Sequence, residues 1–172
     1  MADIQQYVPI LKQEEGGFSN NPNDKGGPTN MGITLAEFQH YYGADKTVDD
    51  LKAMTDDEWL PIVKEEYWNA MKADNINDQQ VAVAIVDFGF NSGQGTAVMK
   101  VQEILNVHPV SGYLGSLTLA AINNADPATL CNAVADSRDA YDKAIVANNP
   151  SQSVFLGDWL RRTDSLRYKP AV

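Results

Sequence analysis

Apolar residues recur along this chain at spacings of three and four. Ile4, Tyr7, Val8 and Leu11 share one face of a 3.6-residue period and predict an amphipathic helix over residues 3–14. Gly16-Gly17 supplies its stop. Residues 16–33 then hold five glycines and two prolines among Asn and Asp, which excludes a helix and predicts turns or a short irregular β-hairpin. Three capping signatures follow. Thr34 with Glu37 opens a helix to about Tyr42, Thr47 with Asp50 one to about Met54, and Thr55 with Glu58 one to about Met71. Pro61 lies deep in the third and predicts a kink or a later start. Residues 76–90 are strongly apolar and predict a buried central helix. Two helices, 96–106 and 116–123, flank a turn. Asp126 before Pro127 starts another, reaching about Asn148, and Pro150-Ser151 opens the last. The fold class is mainly α, with one irregular segment near the front.

Composition narrows the chemistry. The 172 residues carry a formal net charge of −10 and are 44% hydrophobic. That fits one domain, or one domain with a small lobe, and a real core. An acidic surface argues against nucleic acid and anionic membranes as partners, since both need clustered Lys and Arg. A neutral glycan strand stays open. The longest apolar run, Val81 to Val86, is far short of the ~20 residues that insertion into a membrane needs. The start, MADIQQYVPILKQEEGG, lacks a basic segment and an apolar core, so the expectation is no secretory signal and synthesis in the cytoplasm. Cys131 is the one cysteine and reads as a small buried hydrophobe. His40 and His108 have no metal-ligand spacing to it or to an acid pair, and no triad is in view. A calcium loop fails as well: Lys25 would be the middle ligand, and Gly32 stands where the bidentate Glu belongs. No metal and no cofactor is expected.

Carboxylates carry the candidate chemistry. Glu15 sits at the last turn of an apolar helix, where the helix dipole disfavours its charge. Desolvation on the core side would favour the protonated form further. A glutamic acid held protonated is what a general acid requires. Asp24 lies nine residues on, across a glycine turn, and a hairpin could bring it to face Glu15 over a cleft. Two carboxyls in divergent environments are the equipment of glycoside hydrolysis. On spacing alone the bland readings also stand. Adjacent acids at a helix end are usually solvated, as Glu14 is expected to be, and Asp24 could be a turn residue.

The run Glu-Gly-Gly-Phe-Ser-Asn from Glu15, with Pro22, Asp24, Gly26-Gly27, Thr29-Asn30 and Gly32-Ile33-Thr34, resembles the glycoside hydrolase 108 family. Its members are phage endolysins and bacterial muramidases, formerly described as secretion activators. Asp87-Phe88-Gly89-Phe90-Asn91-Ser92-Gly93 resembles the end of that family's central helix. From about Ala97 the chain resembles the peptidoglycan-binding region usually paired with it, through Gln102, Leu105-Asn106, Gly112, Gly115, Thr118 and Ala121. The front segment is also similar, more distantly, to phage lysozymes of the T4 type.

The resemblance implies a lysozyme-like helical fold. It implies a catalytic region over 1–95 and a helical peptidoglycan-binding region over 96–172, packed on it as one compact unit. It implies an N-acetylmuramidase that cleaves the β-1,4 bond between N-acetylmuramic acid and N-acetylglucosamine in peptidoglycan glycan strands. Glu15 is then the catalytic acid, with Asp24 stabilising positive charge or positioning water, and Thr29 or Asn30 assisting. Inversion is preferred to retention. Action at the wall requires export by a holin or a secretion system. Tyr67 and Trp68 are either core or the lining of a sugar subsite, and Asn91 is either a helix cap or a wall of the cleft. The rival reading is a non-catalytic peptidoglycan-binding or secretion accessory. Composition does not set the oligomeric state.

Overall fold

The computed structural model describes residues 1–20 and 27–170. Among them are nine α-helices and one two-stranded antiparallel sheet, the mainly α, lysozyme-like architecture that the sequence predicts. None of the described helices is long and apolar enough to cross a membrane. The chain forms two compact units, Ile4–Ala70 and Met1–Asp3 with Met71–Val172.

In the first unit, α1 (Ile4–Glu14) buries Ile4, Tyr7 and Leu11. The glycine-rich segment ends in a two-residue hairpin, β1 (Thr29–Asn30) and β2 (Ile33–Thr34), paired Thr29 to Thr34 and Asn30 to Ile33. Its turn residues, Met31 and Gly32, both have positive φ (49° and 77°), the twist that a tight hairpin demands. The hairpin is clamped from beneath. Asn30 Nδ2 donates to Leu51 O at 2.8 Å, and Trp59 Nε1 donates to Met31 O at 3.0 Å.

Each predicted cap starts a helix. Thr34 and Glu37 open α2 (Leu35–Tyr42), and Thr47 and Asp50 open α3 (Val48–Lys52). Thr55 donates through N–H and Oγ1 to Glu58 at the start of α4 (Asp56–Val63). Pro61 neither delays nor ends α4. Beyond it the helix widens into a π-helical stretch, Lys64–Asn69. Such widenings are rare and concentrate at functional sites. Phe38, Leu51, Trp59, Ile62, Val63 and Trp68 complete this unit's core.

In the second unit, α5 (Gln79–Ser92) is the buried helix that the apolar run predicts, with every residue from Val81 to Gly89 buried. Its start falls later than residue 76, because Asp78 caps it by accepting from Val81 N at 2.9 Å. It packs on α6 (Gln94–Ile104) and α8 (Pro127–Asn148). This packing places α5 in the same compact unit as the region from 96 onward. Between α6 and α7 (Ser116–Asn124), the side chain of Gln102 holds the turn together. It accepts from Ser111 N and Gly112 N and donates to Tyr113 O and Thr118 Oγ1. The last helix, α9 (Ser153–Ser165), packs on α8.

One charged group sits at the centre of this unit. Asp87 on α5 is fully buried. It accepts from Arg138 Nη1 of α8 at 2.7 Å, and from Arg162 Nε and Nη2 of α9 at 2.9 and 2.7 Å. Burial disfavours its charge, but the hydrogen bonds and charges of Arg162 and Arg138 outweigh burial and hold its pKa below the ordinary value. Removing one member of a buried ion cluster leaves the others uncompensated. Asp87→Asn is therefore expected to lower the unfolding free energy by about 3–5 kcal/mol in urea titrations. A loss under about 1 kcal/mol would show that the cluster is incidental to the fold.

Candidate active site

Both front glutamates stand at the end of the buried face of α1. Tyr7 and Leu11 are fully buried, and Glu14 and Glu15 follow Leu11 at steps of three and four along the same face. The N–H of Glu15 closes the last turn of α1 on Leu11 O at 2.8 Å. Glu15 is half-buried, one residue beyond the helix end. Glu14 is half-buried as well, so the expectation that it is simply solvated needs correction. What separates the two is that the charge of Glu15 reaches Tyr67.

Tyr67 stands within electrostatic reach of Glu15. Burial raises its pKa far above the ordinary phenol value, and the charge and hydrogen bond of Glu37 and the charges of Glu66 and Glu15 raise it further. Its hydroxyl donates to Glu37 Oε1 at 2.8 Å. The other oxygen of Glu37, Oε2, accepts from Thr34 N at 2.8 Å and Thr34 Oγ1 at 2.7 Å. One carboxylate thus caps α2 and fixes the tyrosine. Tyr41 donates similarly to Glu66 Oε1 at 2.9 Å, and burial and that carboxylate push its pKa up to about 12. The surroundings of Tyr67 are acidic, and its phenol stays neutral at any physiological pH.

The other predicted residues fall in different places. Trp68 is completely buried and stacks on Tyr7, with centroids 6.0 Å apart and planes at 23°. It supports the floor of the unit and cannot line a sugar subsite, which corrects that expectation. Asn30 is also corrected as a water-holding candidate. It is 6% exposed, and its amide nitrogen is committed to Leu51 O and Lys52 O. Strand alternation turns Thr29 to the opposite face, where it is half-buried. Its backbone bridges Ser19 in both directions at 2.8 Å. Asp24 lies outside the described residues. Asn91 belongs to the second unit, is exposed, and donates from Nδ2 to Asp87 O at 2.8 Å near the end of α5.

In the first unit Glu15 lies within electrostatic reach of Tyr67, whose hydroxyl is held by Glu37. Glu37 is the residue that sequence reading missed as part of the site. Its capping role was visible at a spacing of three, but its bond to Tyr67 spans thirty residues.

The Glycosyl hydrolase 108 family model matches residues 8–93, and the Predicted Peptidoglycan domain model matches residues 96–164. No curated protein matches. Among solved structures, SagA of Brucella abortus superposes with a TM-score of 0.81 at 31% identity, over 95% of this chain and 91% of its own. With half of the sequence matched by the hydrolase model and nearly all of it covered by that neighbour, the chain belongs to the glycosyl hydrolase 108 family and is a peptidoglycan-acting glycosidase.

Proposed function

We propose that the chain is an N-acetylmuramidase with Glu15 as its general acid. The observation that carries this reading is the placement of Glu15. It stands at the end of the buried face of α1, is half-buried, and lies within electrostatic reach of the anchored phenol of Tyr67. A carboxyl in such surroundings is suited to keep its proton until a leaving oxygen needs it. In the reaction, Glu15 gives its proton to the glycosidic oxygen as the bond to C1 of N-acetylmuramic acid breaks. Water adds to C1, and its surplus proton passes to Asp24. Thr29, on the open face of β1, is the polar neighbour suited to hold that water, in preference to the buried Asn30. Tyr67 forms a wall of the sugar site, and the region 96–172 binds peptidoglycan. Action at the cell wall follows from the substrate.

Glu15→Gln is expected to fold normally and to lose wall-clearing activity by at least ~100-fold, the usual scale for a lost general acid. Glu14→Gln should keep most activity, because the neighbouring position points about 100° away on a helix. Turbidity of a peptidoglycan suspension measures both, and the opposite ranking would move the assignment to Glu14.

Tyr67→Phe removes one hydroxyl and leaves the Thr34–Glu37 cap in place. Unfolding free energy should fall by only about 1 kcal/mol. Turnover of purified wall should fall by about tenfold, the scale of one lost polar contact in the transition state. Unchanged turnover would remove Tyr67 from the site.

The bond cleaved is read from the products. Hydrolysis leaves reducing-end muramic acid, whereas a lytic transglycosylase leaves anhydro-muramic acid, one water lighter. Mass spectrometry of a peptidoglycan digest is expected to show the hydrated products. A digest dominated by anhydro-muropeptides would overturn the hydrolytic step and keep Glu15. Cut stem peptides would overturn both.

A further inference from the structure

A second site candidate lies in the C-terminal unit. A cavity of about 90 Å³ is lined by Asn91 and Ser92 at the end of α5, Arg138, Asp142 and Ile145 of α8, and Trp159 of α9. Residues 138, 142 and 145 follow at steps of four and three, which makes them one stripe along α8.

Two buried charges meet there without satisfying each other. Arg138 is 3% exposed, its Nη1 donates to Asp87, and its guanidinium lies over the Phe88 ring, 5.9 Å from the centroid. Its Nε is buried with no hydrogen-bond partner. Asp142, 5% exposed, sets Oδ2 at 4.0 Å from that Nε, too far for a hydrogen bond. Burial raises the pKa of Asp142, the charge of Arg138 opposes the rise, and Asp139 adds to it. A donor and an acceptor therefore face the same small space with a gap between them.

The gap selects among ligand groups. A hydroxyl accepts an N–H at about 2.9 Å and donates to a carboxylate at about 2.7 Å. Those two lengths span the 4.0 Å gap with an angle of about 90° at the hydroxyl oxygen, close to its natural geometry. A trans peptide amide does not fit, since its C=O and N–H point in opposite directions. A carboxylate would meet the charge of Asp142. Beside the polar gap, Trp159 stacks with Phe155 at 6.0 Å and 24°. Phe155 is 48% exposed, so the pair offers an open aromatic surface. Such surfaces suit the apolar face of a pyranose.

We propose that this cavity is a sugar-binding site, in which a pyranose hydroxyl bridges Arg138 and Asp142 while the ring rests against Trp159. The occupant is a glycan strand rather than a stem peptide. This assignment rests on the reading that the chain acts on peptidoglycan, but not on Glu15.

The test uses the full chain carrying Glu15→Gln, so that nothing is cleaved, titrated with the trimer of N-acetylglucosamine and separately with a stem tetrapeptide. Trp59 and Trp68 are fully buried, so the indole resonance of Trp159 reports the cavity. The sugar is expected to shift that resonance saturably, and the peptide to leave it unmoved. Asp142→Ala should weaken the response at least tenfold. Ile145→Phe, which fills the cavity from a half-buried position and leaves the Asp87 cluster intact, should abolish it. Ile145→Phe keeps the test decisive if Asp142→Ala fails to fold. No shift, a shift with the peptide only, or a sugar shift that survives Ile145→Phe would each overturn the proposal. Turbidity clearing by the Glu15→Gln chain would sink the catalytic reading separately, without touching the binding result.

Discussion

The candidate active site depends on one carboxylate that is not itself a candidate for the chemistry. Glu37 accepts the N–H and hydroxyl of Thr34 on one oxygen and the phenol of Tyr67 on the other. Through the first it fixes the start of α2, directly after the hairpin. Through the second it fixes the phenol that the charge of Glu15 reaches. Hydrogen bonds to an ionised carboxylate are about twice as strong as neutral ones, so a single group can hold both ends. The phenol O–H donates its hydrogen bond to Glu37, which leaves its oxygen only lone pairs to offer any further neighbour. Its position is thus set before any substrate arrives, which is what positioning chemistry requires.

The C-terminal unit solves a different problem with similar means. A helix that is apolar all round, such as α5, can slide or rotate among its neighbours at little cost in burial. Asp87 removes that freedom. Its two oxygens are matched to guanidiniums from α8 and α9, so one register satisfies all three helices. The cluster leaves the buried Nε of Arg138 unmatched, next to Asp142. The feature that locks the core thereby also leaves a polar cavity at its edge.

Much of this was legible in the sequence, and the reason is range. Caps at Thr34, Thr47 and Asp126 are hydrogen bonds between residues three apart, so the sequence states them directly. The buried helix and the glycine hairpin follow from periodicity and from turn chemistry. Pairings across long separations were not legible. Nothing in the local pattern tells Asn30 to reach Leu51, or Tyr67 to reach Glu37, or Asp87 to gather Arg138 and Arg162. Tyr67 and Trp68 show the limit most clearly. Adjacent aromatics on one helix looked equivalent, but the π-helical stretch carries both, and one enters the core while the other meets the acidic cluster.

The central claim is that Glu15 supplies a proton to the departing sugar. Leaving-group dependence tests it most directly. An aryl glycoside whose phenolate departs without a proton makes a general acid dispensable, whereas the natural linkage does not. The Glu15→Gln chain should therefore be impaired by at least ~100-fold on wall glycan but by less than about tenfold on a dinitrophenyl glycoside of the same sugar. Equal impairment on both substrates would contradict the account and assign Glu15 to some role other than proton donation.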